Sequence, residues 1–329
     1  MDKEFHYLLR DREEVTVRYD PNMEAIWVYS KPNIRPCYSI ELLKEYGQFQ
    51  KEVIDYFKQA DMRPETSIKY LINASQTPEI YNYGGDLNLF SELIKSRNAD
   101  KLFAYAKVCI DIVYTNAVNY NLPITTISLV EGTALGGGFE GAISYNICIA
   151  EEQSQMGMPE IRFNLIPGMG AYSFLARSVG TRKAEDIISS GKMYSAEELY
   201  NLGVITQVVK KGEGEKAVNQ FMKRNSRLFN GMQALQSARH RYQQLDYDEL
   251  IDITKIWVDA ALRLTDRDLK MMQKLVDAQN QKSIRTMKIL RTKQDRRFEK
   301  GEIEFPFTDF QGRVIPIERR SGEDLRSKE

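Results

Sequence analysis

A run of glycines with a glutamate directly after it is the stretch best suited to chemistry. The segment Glu131-Gly-Thr-Ala-Leu-Gly-Gly-Gly-Phe-Glu140 follows a predicted strand and precedes a predicted helix, and Met158-Pro-Glu160 lies further along the chain. The glycines therefore fall at a helix N-terminus, where unpaired N–H groups and the helix dipole favour negative charge. A ligand can approach a backbone that lacks Cβ atoms, and Glu140 places a carboxyl group beside that site. The same pattern also fits a simple tight turn, with Glu140 as a partner of the dipole.

Composition restricts the chemistry that these residues can perform. The 329 residues include only two histidines, His6 and His240, which argues against a His-based metal site or catalytic triad. We expect no metal and no cofactor, so any reaction must use carboxylates, Tyr, Lys or the backbone. The formal net charge is zero, which gives no overall attraction to nucleic acid or membrane.

Other features of the composition indicate a cytoplasmic protein. No apolar run approaches the length of a transmembrane helix, and the first residues lack the apolar region of a signal peptide. The three cysteines are odd in number and widely spaced, as expected for reduced thiols.

Hydrophobic periodicity predicts the elements that must position the glycines and glutamates. Strands and helices alternate from residue 15 to about residue 209, which favours an α/β fold with mostly parallel strand pairing. From about 215 to 295 the pattern is helical, and it places Ile253, Ile256, Trp257 and Ala260 on one face of a helix. The strands are predicted at 15–19, 25–29, 67–72, 125–130, 146–150 and 204–209.

Five motifs in order along the chain resemble the crotonase (enoyl-CoA hydratase/isomerase) superfamily. The resemblance implies a spiral of ββα units followed by helices that build an acyl pocket and a trimer interface. The corresponding domains are 1–212 for the core, 213–300 for the helical region that forms the pocket and the oligomer contacts, and 301–329 for a C-terminal tail. The motifs are Gly84-Gly-Asp-Leu87, Glu131 to Glu140, Gln155-Met-Gly-Met-Pro-Glu160, Ile166-Pro-Gly-Met-Gly170 and Leu202-Gly-Val-Ile205.

The resemblance also implies roles for individual residues. The family stabilises a thioester enolate with two backbone N–H groups, which correspond here to Gly85 and Gly137. Its hydratases use two carboxyl groups, which correspond to Glu140 and Glu160; which is acid and which is base stays open. Because neighbouring carboxylates repel each other, at least one should hold a proton more tightly than usual. Substrate contacts are expected from Tyr83, Gly84, Gly136, Met169 and Trp257, although Trp257 also fits plain core.

Local sequence is similar to a narrower group, the diffusible signal factor (DSF) synthases. Those enzymes dehydrate 3-hydroxyacyl chains on acyl carrier protein to cis-2-enoyl thioesters and then cleave the thioester, releasing a quorum-sensing fatty acid. The segment 77–82 has no Lys or Arg before the glycine loop, where ordinary hydratases often carry basic residues for CoA. The matching segments are 81–90, 150–160, 164–174 and 256–264.

Several partners follow as expectations from these resemblances. The substrate is 3-hydroxyacyl-acyl carrier protein or an acyl-CoA, the assembly is a homotrimer or hexamer, and a regulatory sensor kinase is a possible partner. A basic stretch at 282–300 fits either a solvated helix face or a docking surface for an acidic carrier protein. The alternatives are an ordinary enoyl-CoA hydratase/isomerase and a non-catalytic RNA- or partner-binding homologue. A binder has no need for both Glu140 and Glu160.

Overall fold

The computed structural model describes residues 3–33, 35–60, 67–298, 307–308 and 314–315, with side chains within 5–33, 35–59 and 67–288. These residues divide into two compact units, 1–287 and 288–329. The first unit contains a six-stranded sheet, a four-stranded sheet and all of the predicted site residues. The second contains the end of the last helix and a two-stranded hairpin, β11 (Phe307–Thr308) and β12 (Val314–Ile315).

The larger sheet has six strands in the order β1-β2-β3-β5-β7-β10. The first two pair antiparallel and every later pair is parallel, as the alternation of strands and helices predicts. Strand β3 begins at Tyr70 and not at residue 67, because its first residue pairs with Ala25 at the start of β2. The strands are β1 (Val15–Asp20), β2 (Ala25–Ser30), β3 (Tyr70–Ser75), β5 (Thr125–Val130), β7 (Ile147–Glu151) and β10 (Gln207–Val209).

A second sheet consists of four short strands, three of which follow strands of the first sheet along the chain. Each of β3, β5 and β7 is followed by a strand of the small sheet, and β4-β6-β8 pair parallel as β3-β5-β7 do. This repeat confirms the predicted α/β class and its spiral of ββα units. Three-residue strands carry too little periodicity to be found from sequence. They are β4 (Ile80–Asn82), β6 (Thr133–Leu135), β8 (Gln155–Gly157) and β9 (Met193–Ser195).

Twelve α-helices are present in the described part of the chain, in addition to short 3-10 helices. The Asn98 side chain caps the second of two consecutive helices, α3 and α4, and Ser195 and Glu198 form a capping box at the start of α8. The helices are α1 (Lys3–Leu8), α2 (Ile40–Ala60), α3 (Leu87–Lys95), α4 (Ala99–Ala117), α5 (Gly137–Ile143), α6 (Ala171–Val179), α7 (Thr181–Ser190), α8 (Ala196–Asn201), α9 (Gly214–Asn225), α10 (Phe229–Tyr242), α11 (Tyr247–Ala261) and α12 (Asp266–Phe298).

The C-terminal helices pack onto the core through a face that differs slightly from the predicted one. Helix α11 buries Leu250, Trp257, Val258 and Ala261, whereas Ile256 is 59% exposed, so its predicted inward position is wrong. The buried residues of α11 join those of α2 and α4 in one hydrophobic cluster. The domain boundaries at 212 and 300 stay predictions. Among the described residues, no helix is both long and apolar enough to cross a membrane.

Candidate active site

The predicted glycine turn connects a strand of the small sheet to a helix. Strand β6 ends at Leu135, Gly136 adopts φ +49° and ψ −124°, and α5 begins at Gly137. The Gly136 N–H donates to the Gly157 carbonyl at 2.8 Å, which ties the turn to β8. Residues with a side chain rarely adopt this positive φ, so the turn requires glycine at position 136.

A second glycine loop, which contains Gly84 and Gly85 and follows β4, lies directly against this turn. Gly84 has φ +90°, its N–H donates to Asn82 Oδ1 at 2.7 Å, and its carbonyl accepts from the Tyr38 N–H at 2.7 Å. A Cβ on Gly84 would lie 2.8 Å from the Gly137 nitrogen, and one on Gly137 would lie 3.3 Å from the Gly85 nitrogen. The absence of side chains therefore lets the two loops touch.

The contact brings together two N–H groups with no partner in the described part of the chain. Neither the Gly85 nor the Gly137 N–H donates a hydrogen bond there, and both glycines line the same cavity. Gly137 is the first residue of α5, so its N–H points out of the helix and the helix dipole adds positive potential. Two unpaired donors in a buried site can stabilise an oxygen on which negative charge develops.

Glu140 lies in the first turn of α5 and is buried, with 1% of its surface exposed. Its Oε1 accepts hydrogen bonds from the Met169 N–H at 2.7 Å and the Ala171 N–H at 2.9 Å. Burial raises the pKa of Glu140 to about 7, while the two backbone N–H groups oppose the rise. These donors fix the carboxyl group and leave its second oxygen available.

Glu160 comes from the short 3-10 helix Pro159–Phe163. Its Oε1 occupies the space where a Cβ on Gly136 would be, only 2.1 Å from that position. Its Oε2 is buried and has no hydrogen-bond partner in the described structure. Burial, and secondly the charge of Glu140, raise the pKa of Glu160 to about 8.

The two glutamates form a coupled acid–base pair in one cavity. Both line it together with Gly85 and Gly137. Because each carboxyl disfavours ionisation of the other, the state with one proton on the pair is favoured near neutral pH. One carboxyl can accept a proton from carbon while the other gives a proton to a leaving oxygen, beside two donors for a carbonyl oxygen.

The cavity has a volume of about 40 Å³ and is mainly apolar. Of the residues expected to contact substrate, Tyr83, Gly136, Met169 and Trp257 line it, whereas Gly84 is not among its lining residues and instead packs against Leu135 and Gly137. Trp257 is both core and cavity wall: it is 3% exposed, and its ring contacts that of Phe90 edge-on, with centroids 5.1 Å apart.

Further lining residues were not identified from the sequence. They come from α3, α4, the 3-10 helix and α12, which are distant along the chain. The apolar periodicity of α4 indicates a buried face but not which cavity that face borders. The additional residues include Phe90, Tyr105, Cys109, Phe163, Leu275 and Gln279.

Only the first part of the basic stretch at 282–300, up to residue 288, has side chains among the described residues. Lys282 donates from Nζ to Thr133 Oγ1 at 2.6 Å, at the start of the strand that leads into the glycine turn. The side chains of Arg291, Lys293, Arg296 and Arg297 lie outside the described residues, as does Lys300.

Comparisons with known proteins identify the family of this chain. The family profile described as Enoyl-CoA hydratase/isomerase matches residues 47–255. Mouse mitochondrial methylglutaconyl-CoA hydratase is 29% identical over 162 residues, which are 49% of each chain. The present chain thus spans about half the length of this curated relative.

Solved structures share the fold at low sequence identity. Enoyl-CoA hydratase from Bacillus halodurans aligns with a TM-score of 0.67 at 18% identity, over 80% of this chain and 100% of that one. Pseudomonas aeruginosa DspI aligns with a TM-score of 0.59 at 23% identity, over 73% of this chain and 91% of that one. At these identities the likeness concerns the fold alone.

Proposed function

This chain belongs to the enoyl-CoA hydratase/isomerase family, and from that premise we propose that it interconverts 3-hydroxyacyl and 2-enoyl thioesters. The observation that carries the proposal is the pair Glu140 and Glu160 in one cavity with the N–H groups of Gly85 and Gly137, which have no partner among the described residues. Many relatives need only one carboxyl, whereas adding or removing water across C2–C3 uses both an acid and a base.

In the proposed dehydration the thioester oxygen accepts hydrogen bonds from Gly85 and Gly137. One glutamate removes the C2 proton, and the resulting enolate charge is stabilised by the two donors, each worth about 3–4 kcal/mol. The other glutamate then protonates the C3 hydroxyl, the C3–O bond breaks and water leaves. General acid–base assistance of this kind contributes about 10²–10⁴-fold.

We propose further that the product is a free cis-2-enoic acid, as in the DSF synthases that the sequence resembles. Water, activated by one carboxylate, would attack the thioester carbonyl, the C–S bond would break, and the thiol would leave with a proton. The same two N–H groups would hold the oxyanion. The product would act as a diffusible signal, and a sensor kinase is a candidate regulatory partner.

The proposed carrier is acyl carrier protein. Residues 77–82, just before the glycine loop, contain no Lys or Arg that would bind CoA phosphates, and the basic stretch at 282–300 suits an acidic partner. The nearby Arg35 pairs with Asp86 at 3.6 Å, which reduces its availability for a phosphate. We expect higher turnover with the carrier-protein thioester than with the CoA thioester, and a homotrimer or hexamer in solution.

An ordinary enoyl-CoA hydratase is the second candidate, favoured by the curated relative that is itself a CoA hydratase. A non-catalytic binding role is disfavoured because it gives no reason for two buried carboxyls beside free N–H donors.

One assay separates these candidates. Purified protein is given a medium-chain 3-hydroxyacyl chain, once on acyl carrier protein and once on CoA, and both the double bond and the released acid are followed by mass spectrometry. Acid release from the carrier-protein substrate supports the full proposal. Dehydration without release reduces the function to that of a hydratase, and no reaction with either substrate contradicts it.

A further inference from the structure

Gln279 reaches the cavity from α12, the helix farthest in sequence from the glycine turn. It lines the same cavity as Glu140, Glu160 and the two N–H donors. The inward face of α12 before it is apolar, with Leu269, Met272 and Val276 buried. The polar amide thus appears on this face just where the helix borders the site.

The amide nitrogen of Gln279 is buried and donates no hydrogen bond within the described structure. A buried donor without a partner destabilises the folded state, and an apolar side chain of the same length would remove the penalty. A buried group of this kind calls for a partner that is present only when substrate is bound.

The donors and acceptors of the cavity match a 3-hydroxyacyl thioester. The unpaired N–H groups of Gly85 and Gly137 suit the thioester oxygen, as described above. Among the described lining residues, Gln279 supplies the only side-chain amide. The buried Oε2 of Glu160 and the Tyr83 hydroxyl are the other lining side-chain atoms without a hydrogen-bond partner in the described structure. The substrate has one further oxygen near its reacting carbons, the C3 hydroxyl.

We propose that Gln279 donates a hydrogen bond to the C3 hydroxyl and orients it for proton transfer. This inference rests on the proposed dehydration and adds a third side chain to it. One lone pair of the hydroxyl oxygen accepts from the Gln279 amide, and the other receives the proton from a glutamic acid as the C3–O bond breaks. The amide itself transfers no proton. In the reverse direction the same contact holds the attacking water.

The role also predicts specificity, because a site built to bind a hydroxyl discriminates against a substrate that lacks one. Gln279→Met removes the donor while keeping length and helix propensity. We expect kcat/KM for the 3-hydroxyacyl thioester to fall about 10- to 100-fold. The inhibition constant of the saturated acyl thioester of the same length and carrier should stay unchanged, since that chain has no C3 hydroxyl.

Gln281→Met is the matched control, because Gln281 is exposed on the same helix and does not line the cavity. It should retain wild-type kinetics. Gln279→Leu provides a second apolar variant, and circular dichroism identifies which variants are folded; the kinetics of any folded variant decide the question.

Three results have distinct meanings. Wild-type kcat/KM in a folded Gln279 variant, with Glu160→Gln inactive, would overturn the role of Gln279 and leave the proposed function intact. Equal weakening of turnover and of saturated-chain inhibition would also overturn it, since it would indicate a role in packing only. Full activity of Glu160→Gln would instead contradict the proposed function itself.

Discussion

Two groups of glutamates lie close together in the described part of this protein, and of the two only the pair Glu140 and Glu160 lines the cavity beside the glycine turn. The cavity pair consists of Glu140 and Glu160. The α9 cluster consists of Glu131, Glu151 and Glu215 and lies near the start of α9, where a Cβ on Gly214 would be 3.0 Å from Glu131 Oε1 and 3.2 Å from Glu151 Oε1.

One member of the α9 cluster, Glu131, resembles the cavity pair in having a raised pKa. Burial, and then the charges of Glu151 and Glu215, raise the pKa of Glu131 to about 7, close to the behaviour of the cavity pair. They differ in their partners. In the α9 cluster, Glu151 Oε1 accepts from the Gly212 and Gly214 N–H groups at 2.7 and 3.1 Å, and Glu215 accepts from the Tyr29 hydroxyl at 2.8 Å.

The difference shows that a raised pKa by itself does not identify an active site. Burial is the first cause of the raised pKa in both places, and neighbouring carboxylates add to it at Glu131 and Glu160. Among the described residues, only the cavity pair combines a raised pKa with open space and with backbone donors that have no partner in that part of the chain. In the α9 cluster, the backbone donors of the glycine segment already bind a carboxylate, which indicates a structural role.

Removing one carboxyl from each group gives the largest expected contrast. Glu140→Gln or Glu160→Gln should lower dehydration by at least about 10²–10⁴-fold, because each removes a proton-transfer group while keeping the shape. Glu131→Gln should leave kcat/KM unchanged. Steady-state rates with a 3-hydroxyacyl thioester measure both effects, and full activity of either cavity variant would refute the two-carboxyl mechanism.

Adding a methyl group to a glycine that lies beside each group of glutamates should give the next largest contrast. In Gly136→Ala the new Cβ would lie 2.1 Å from Glu160 Oε1 and the residue would be strained at φ +49°, so Glu160 must move. A displacement of about 1 Å can cost about 10²-fold in rate. Gly214→Ala presses on the α9 cluster and should lower the melting temperature without changing kcat. Wild-type kinetics in a folded Gly136→Ala protein would contradict the assigned position of Glu160.

The pH dependence of the reaction should follow the cavity pair alone. Dehydration needs one protonated and one ionised glutamate, and the pKa values of both are raised. We therefore expect a bell-shaped profile centred between neutral and mildly alkaline pH, with rates falling about tenfold per pH unit on each limb. Glu131→Gln should have the same profile, and a shift in that variant would connect the α9 cluster to catalysis.

The smallest expected effect is on stability, and here both groups should behave alike. A carboxyl whose pKa is higher in the folded state binds more protons there, so stability is greatest below the unfolded pKa and falls as pH rises through the folded value. Glu160→Gln and Glu131→Gln should each raise the melting temperature by a few degrees at pH 8 and change it little at pH 4. Thermal unfolding at both pH values checks this, and destabilisation by Glu160→Gln at pH 8 would count against a burial penalty.

Much of the fold could be predicted because strands and helices leave periodic patterns in the sequence. The mostly parallel strands up to residue 209 and the helical region after residue 215 depend on neighbouring residues, and the structure contains both. The short strands of the second sheet were missed because three residues are too few to show a period. The prediction that Ile256 faces the core was wrong because the apolar residues of α11 extend beyond the face of that helix that is buried.

The sequence by itself determined which residues of this protein can perform chemistry. With only two histidines, the chain leaves carboxylates, Tyr, Lys and the backbone to perform any reaction. The resemblance to the crotonase superfamily then indicates Glu140 and Glu160 as acid and base and backbone N–H groups as donors. Only the tertiary structure decided how these groups meet. The approach of Gly85 to Gly137, the neighbouring carboxyls and the arrival of Gln279 from α12 join segments far apart in the chain. Local pattern cannot specify such contacts, because they depend on how the sheets and helices pack against one another.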